Sequence, residues 1–189
     1  MYYGRNGGHG HLDRLNIGLF YRNLCMIPDL GYPEYATSWP QRNYFTNNTI
    51  SHNTVVVNQV PQSVNWVGHP ELFCQFEDFG AARVESREVY PGVERYQRTV
   101  AFVKLAEGHG YVLDLFRVRG GNDHLYVLHG PPGQVTTEGL QLVGQEGGSY
   151  AGPDVPFETE TPKGAGNGYS WLTNVERAPA ADRFTVDWK

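Results

Sequence analysis

Three segments set the course of this chain: Gly7-Gly8-His9-Gly10-His11-Leu12-Asp13, then Pro28-Asp29-Leu30-Gly31-Tyr32, then Ser51-His52-Asn53-Thr54-Val55-Val56-Val57-Asn58. The last ends in a β-branched run, Thr54 to Val57, which suits a strand buried on both faces. Upstream, Leu15 to Tyr21 alternates apolar and polar residues as a strand does. Arg22-Asn23 suits a tight turn, and Leu24 to Ile27 returns as the second arm of a hairpin. Pro28 ends that arm because it has no amide to donate. Each imidazole and carboxylate of the three segments therefore lies beside a strand or a turn.

The same alternation continues downstream. It predicts strands at Leu72 to Phe79, Ala82 to Val89, Leu125 to Leu128, Leu140 to Val143, Tyr169 to Val175 and Arg183 to Trp188. Gln97 to Leu105 and Tyr111 to Val118 are expected to pair across Ala106-Glu107-Gly108-His109-Gly110, and Gly120 to Asp123 reads as a turn. Residues 30–51 show no periodicity and are expected to form a long ordered loop, of the kind that often carries function. No amphipathic helix, repeat or interdomain linker is evident. The expected fold is all-β, an antiparallel β-sandwich, with residues 1–189 as a single domain.

Composition agrees with this expectation. The chain has 189 residues, with 12 Tyr, 9 Phe, 4 Trp, 23 Gly and 12 Pro, the mixture of many short strands and turns. A net charge of −5 argues against nucleic acid as the partner. The cations are arginine far more often than lysine, and arginine is the better fork for carboxylates. Cys25 and Cys74 lack metal-ligand spacing, sit in apolar runs, and are expected to be free thiols. No run is long enough to span a membrane. The chain enters its first motif directly from Met1-Tyr2-Tyr3-Gly4-Arg5 without a signal peptide, as expected of a fragment.

His9 and His11, two residues apart in an extended segment, face the same side. Asp13, Asp29 and His52 add further metal-ligand types. Two imidazoles and a carboxylate with an open position suit Zn²⁺, and less well Fe²⁺ or Mn²⁺. The alternatives are a turn-capping Asp29 and a hydrogen-bonded core His52. A metallo-β-lactamase pattern fails because Arg14 stands where a further histidine is needed. A cupin-like oxygenase has a similar architecture, but it needs a glutamate where Leu15 stands.

Taken in order, the three segments resemble the C-terminal domain of heparinase II/III-like polysaccharide lyases, a group that includes oligoalginate lyases. Tyr96-Gln97-Arg98-Thr99, Tyr111 to Gly121, His124 and His129 extend the resemblance, which covers roughly residues 4–133. It implies a β-sandwich that packs against an N-terminal (α/α) toroid of helices, absent from this chain. It implies β-elimination on a uronate-containing polysaccharide, and hence a periplasmic or secreted protein. It implies a structural zinc held by His11, Asp29 and His52 near the cleft, with His9 facing substrate. The catalytic base and acid would belong to the helical domain.

Within that resemblance, His9 is the candidate catalytic residue, since the two glycines before it let a substrate approach closely. Arg5, Arg14 and Arg42 are candidates to bind substrate carboxylates, with surface salt bridges as the alternative. Asp13 takes a supporting position, orienting a neighbouring ring. His124 and His129 are expected to be structural. The remaining functional alternative is a non-catalytic carbohydrate-binding module with Tyr32, Tyr35, Trp39 and Tyr44 as its aromatic platform.

Overall fold

A buried strand, β3 (Val55–Val57), lies between two apolar clusters and joins them. The computed structural model describes residues 1–6, 10–30, 39–160, 166–180 and 182–189, apart from the side chains of residues 39 and 107. Strands β1 (Leu19–Tyr21) and β2 (Leu24–Ile27) form the expected hairpin. Its turn residues Arg22 and Asn23 both have positive φ, 47° and 64°, which matches the twist of a two-residue hairpin. A helical segment follows, where a loop without regular structure was expected. It consists of a short helix α1 (Trp39–Gln41), a π-helical turn at Arg42–Thr46 and a 3-10 turn at Thr49–Ser51. This segment buries Arg42, Phe45, Thr46 and Ile50, and that tertiary burial organises a sequence that has no helical period of its own.

The main sheet contains β4 (His69–Gln75), β5 (Phe79–Glu85), β6 (Arg95–Lys104) and β7 (Gly110–Arg119), antiparallel and in sequence order. The expected β6–β7 pairing is present, with Val103 opposite Tyr111 and Thr99 opposite Leu115. The single strand expected over Leu72 to Phe79 is instead broken. β4 stops at Gln75, Phe76 donates its amide to the Phe79 carbonyl across a tight turn, and β5 starts at Phe79. Glu77-Asp78 is the punctuation that the alternation of apolar residues concealed.

Strand β8 (His124–Tyr126) pairs with β3, placing Leu125 opposite Val56. The turn between β7 and β8 needs Gly121, whose φ is 81° and where a Cβ would lie 2.5 Å from a Val57 methyl. β9 (Val135–Glu138) was not foreseen, and it pairs with β12 (Thr185–Trp188). The predicted strand at Leu140 to Val143 shrinks to β10 (Val143–Gly144), paired with β11 (Glu176–Arg177). Tyr169–Trp171 is a 3-10 turn rather than a strand. Gly168 enters it at φ 77°, with no room for a Cβ against Ile50 and the Tyr44 carbonyl.

The result is the expected all-β, antiparallel sandwich architecture. Val55 and Val57 face the inner side of the main sheet, packing with Leu15, Val84, Val89, Tyr90, Val93 and Tyr96. Val56 faces the opposite way, into Phe45, Ile50, Val127 and Tyr169. Burying each such side chain is worth up to about 1.5–3 kcal/mol, so β3 serves both clusters.

Arginine 98, fully buried on β6, ties the layers together with charge. Its guanidinium makes two hydrogen bonds to the Asp114 carboxylate, at 2.8 and 2.6 Å, and also donates to the Leu15 and Asn53 carbonyls. Truncation would strand Asp114 and two carbonyls. Arg98→Ala is therefore expected to lower the unfolding free energy by about 3–5 kcal/mol in urea denaturation.

Candidate metal site

His11, Asp29 and His52 come from three different segments, and their candidate ligand atoms all lie within 4.8 Å of one another. The centroids of the two imidazoles are 5.1 Å apart. His11 sits in the turn before Leu15, a fully buried residue at φ 62° that carries the chain from the site into the core. That turn is pinned by the Leu12 amide to the Asn47 carbonyl (2.9 Å) and by the Leu15 amide to the Tyr2 carbonyl (2.8 Å). His52 caps the 3-10 turn, donating its amide to the Thr49 carbonyl. Asp29 follows Pro28 at the end of the hairpin and is exposed on one side.

Two asparagines build the site around these side chains. The Asn16 amide donates to Asp29 Oδ2 (2.5 Å), and its oxygen accepts the Asn53 backbone amide (3.0 Å). The Asn53 side chain donates to the Ile17 and Pro28 carbonyls (3.0 and 2.9 Å) and accepts the His129 amide (2.6 Å). One fully buried side chain thus links four segments. His129 lies alongside, its Nε2 donating to the Ile50 carbonyl (3.0 Å), and burial holds its pKa below the ordinary histidine value.

The electrostatics suit a cation. His11 is pushed down to about 4, first by burial and then by the neighbouring His52, with Arg42 adding to the effect and Asp29 opposing it. It is therefore neutral, as a ligand must be, at physiological pH. His52 Nδ1 lies 3.0 Å from Asp29 Oδ2, whereas its buried Nε2 makes no hydrogen bond among the described residues. If Nδ1 carries the proton to Asp29, Nε2 presents a lone pair inside the protein. Two imidazoles, a carboxylate and a buried unsatisfied ring nitrogen fit a zinc ion.

The expected residues divide clearly. His11, Asp29 and His52 are together; His9 lies outside the described residues, as do Tyr32, Tyr35 and the Trp39 side chain. Arg5 is on the surface, stacked on Trp66. Arg14, expected to reach substrate, is fully buried, and its guanidinium donates to the Tyr3 carbonyl and to Asn6. Arg42 is buried beside His11. Asp13 is near the cluster but outside the group of three. Neither cysteine is in a disulfide. The roles of Asn16 and Asn53 had no signal in the sequence, because no spacing distinguishes a bridging asparagine from a turn-forming one. An apolar groove of about 490 Å³ lies elsewhere, under the β1–β2 hairpin, and none of the three ligand candidates lines it.

The antiparallel sandwich thus carries a group of side chains, two buried imidazoles and an exposed carboxylate, placed so that they could hold a metal ion. The chain belongs to the heparinase II/III-like family, matching the model of that family's C-terminal region over residues 2–113. It is 29% identical over 127 residues to an exo-oligoalginate lyase of Saccharophagus degradans, covering 59% of this chain and 17% of that protein. It is 32% identical over 138 residues to an alginate lyase of Stenotrophomonas maltophilia, covering 64% of this chain and 18% of that protein. The chain therefore spans less than a fifth of the length of these curated relatives. The family match sets aside the cupin alternative.

Asp13 supplies a pH test. Burial chiefly raises its pKa from 3.8 to about 6, assisted by Asp29. A carboxyl whose folded pKa is raised gives stability that is complete below its unfolded value and lost as pH rises through the folded one. In metal-free protein, the melting temperature of Asp13→Asn relative to the parent should therefore rise between pH 4 and pH 7. The gain should be of order 1–3 kcal/mol, read by calorimetry across that range.

Proposed function

We propose that this chain is the β-sandwich domain of a polysaccharide lyase that cleaves a uronate-containing polysaccharide by β-elimination. In this reading residues 1–189 form one domain that supplies one wall of the cleft, and a separate helical domain supplies the other. The observation that carries the proposal is the His11–Asp29–His52 cluster in a chain of this family. The relatives named alginate lyases point to a polyuronate substrate. Such a polymer is met in the periplasm or outside the cell, and among the described residues no helix is long and apolar enough to cross a membrane.

The reaction asks for three things. A base must remove the weakly acidic proton α to the carboxylate, an acid must protonate the leaving oxygen, and positive or hydrogen-bonding groups must neutralise the carboxylate as charge develops. His9 is the proposed substrate-facing group of this chain, next to the ligand His11. Arg42, buried beside His11, is the proposed carboxylate partner nearest the cluster. Arg14 is spent on the framework and is left out of this set. A zinc bound by His11, Asp29 and His52 would supply a fixed positive charge and hold three loops in register. Asn16 would then orient Asp29 as a ligand-supporting residue.

Three measurements test this. Purified protein is expected to contain stoichiometric zinc by elemental analysis, retained poorly in His11→Ala and His52→Ala. Chelation should lower the melting temperature of the parent by several degrees, following the mass-action stabilisation of a ligand that binds only the folded state. Iron in place of zinc, or no metal, contradicts the metal assignment. A longer protein that includes the upstream region should generate unsaturated uronate from alginate or a related polymer, followed by absorbance. No product from any polyuronate would sink the lyase reading.

A further inference from the structure

We infer that Trp66 and Arg5 form a binding subsite for an acidic sugar, separate from the His–Asp–His cluster. Trp66 is 68% exposed, an unusual position for the largest apolar side chain, and the exposed Val64 and Val67 flank it. The Arg5 guanidinium lies 4.5 Å from the centroid of its ring, in cation–π geometry. Such a pair presents two chemistries together: an aromatic surface on which the C–H face of a pyranose can stack, and a planar fork matched to a carboxylate.

The pair is held rigidly from beneath. The Asn6 amide donates to the Asn65 carbonyl (3.3 Å), and the Asn6 side chain accepts the Asn65 amide (2.6 Å) and donates to the Ser63 carbonyl (3.0 Å). The Trp66 amide donates to the Asn65 side chain (2.6 Å), and the Gly68 amide to the Tyr3 carbonyl (2.8 Å). Asn6 is fully buried, and it accepts from the buried Arg14. Residues 3–6 and 65–68 therefore run side by side, fixed to the framework, with the exposed Arg5 and Trp66 side chains above. A surface tryptophan with no partner would be free to move; this one is preorganised, so little ordering entropy opposes binding.

Position supports the same ligand class. Arg5 is six residues before His11, so the two Cα atoms are within about 20 Å along the chain, a few sugar rings from the cluster. A polyuronate of a few sugar rings is long enough to touch both. The inference rests on the polyuronate reading of the preceding section and adds a subsite to it.

The test is titration of the 189-residue chain with hexameric mannuronate, with neutral mannohexaose of the same length as comparator. Binding is followed through the indole N–H resonances. The mannuronate is expected to shift one indole resonance saturably and to bind at least tenfold more tightly than mannohexaose. Trp66→Ala should weaken mannuronate binding about tenfold or more. Arg5→Gln should abolish most of the preference for the acidic sugar, with Arg5→Lys intermediate, and circular dichroism should confirm that all three variants stay folded. Equal affinity for both sugars, no saturable shift, or unchanged binding by Trp66→Ala overturns the subsite. Repeating the titration after chelation and with His52→Ala separates the two proposals. Mannuronate binding that survives without metal upholds the platform even where the zinc assignment fails. A zinc-bearing chain that binds no mannuronate at Trp66 overturns the platform alone.

Discussion

The side chain of Asn53 is the contact on which the site depends. It has no exposure to solvent, and it bonds to segments that begin the fold, end the first hairpin and leave β8. A buried amide is tolerated only when its donors and acceptor are satisfied, and here they are satisfied by backbone groups that would otherwise be stranded. His52 precedes it and β3 follows within two residues. One asparagine therefore sets the spacing between a buried strand and three potential ligands. Around it, the Tyr96 hydroxyl donates to the Val55 carbonyl and accepts from Gln62, whose side chain also meets the Arg14 backbone. The polar core under the site is a connected network in which each member orients another.

This network explains why apolar and polar layers coexist so near each other. β3 is buried on both faces, so hydrophobic packing on each side adds to its pairing with β8, and the residues immediately before it serve polar ends. Arg98 crosses from the main sheet to the carbonyls of Leu15 and Asn53. The main sheet and the loops that carry the candidate ligands are consequently coupled through backbone oxygens, and a shift in one is felt by the other.

Much of this was legible in the sequence. The hairpin at 19–27, the β-branched strand and the β6–β7 pair follow from alternation and turn chemistry, whereas residue types alone also offered His9 and Asp13 as ligands, and the set of His11, Asp29 and His52 was singled out by the family resemblance. Other features had no sequence signal. Arginine 14 has the same letter as a substrate-binding arginine, and only packing reveals that it is enclosed. The helical segment at 39–51 has no period because its shape is imposed by burial of Phe45 and Ile50. Trp66 stands among valines and polar residues that look like an ordinary loop; its significance arises from Arg5, sixty-one positions earlier, lying over its ring.

The spacing of the three ligand candidates has a topological meaning as well. Between His11 and Asp29, and again between Asp29 and His52, the chain makes loops of 18 and 23 residues, counted from their positions. An ion held by all three would be a reversible cross-link closing both loops at once. By the chain-entropy argument used for disulfides, each such closure removes about 3 kcal/mol of freedom from the unfolded chain. With both cysteines free, this domain has no covalent staple of its own. An ion in the cluster would take the place that a disulfide has in small exported domains, with the difference that availability of the metal, rather than redox potential, would decide whether the staple is closed.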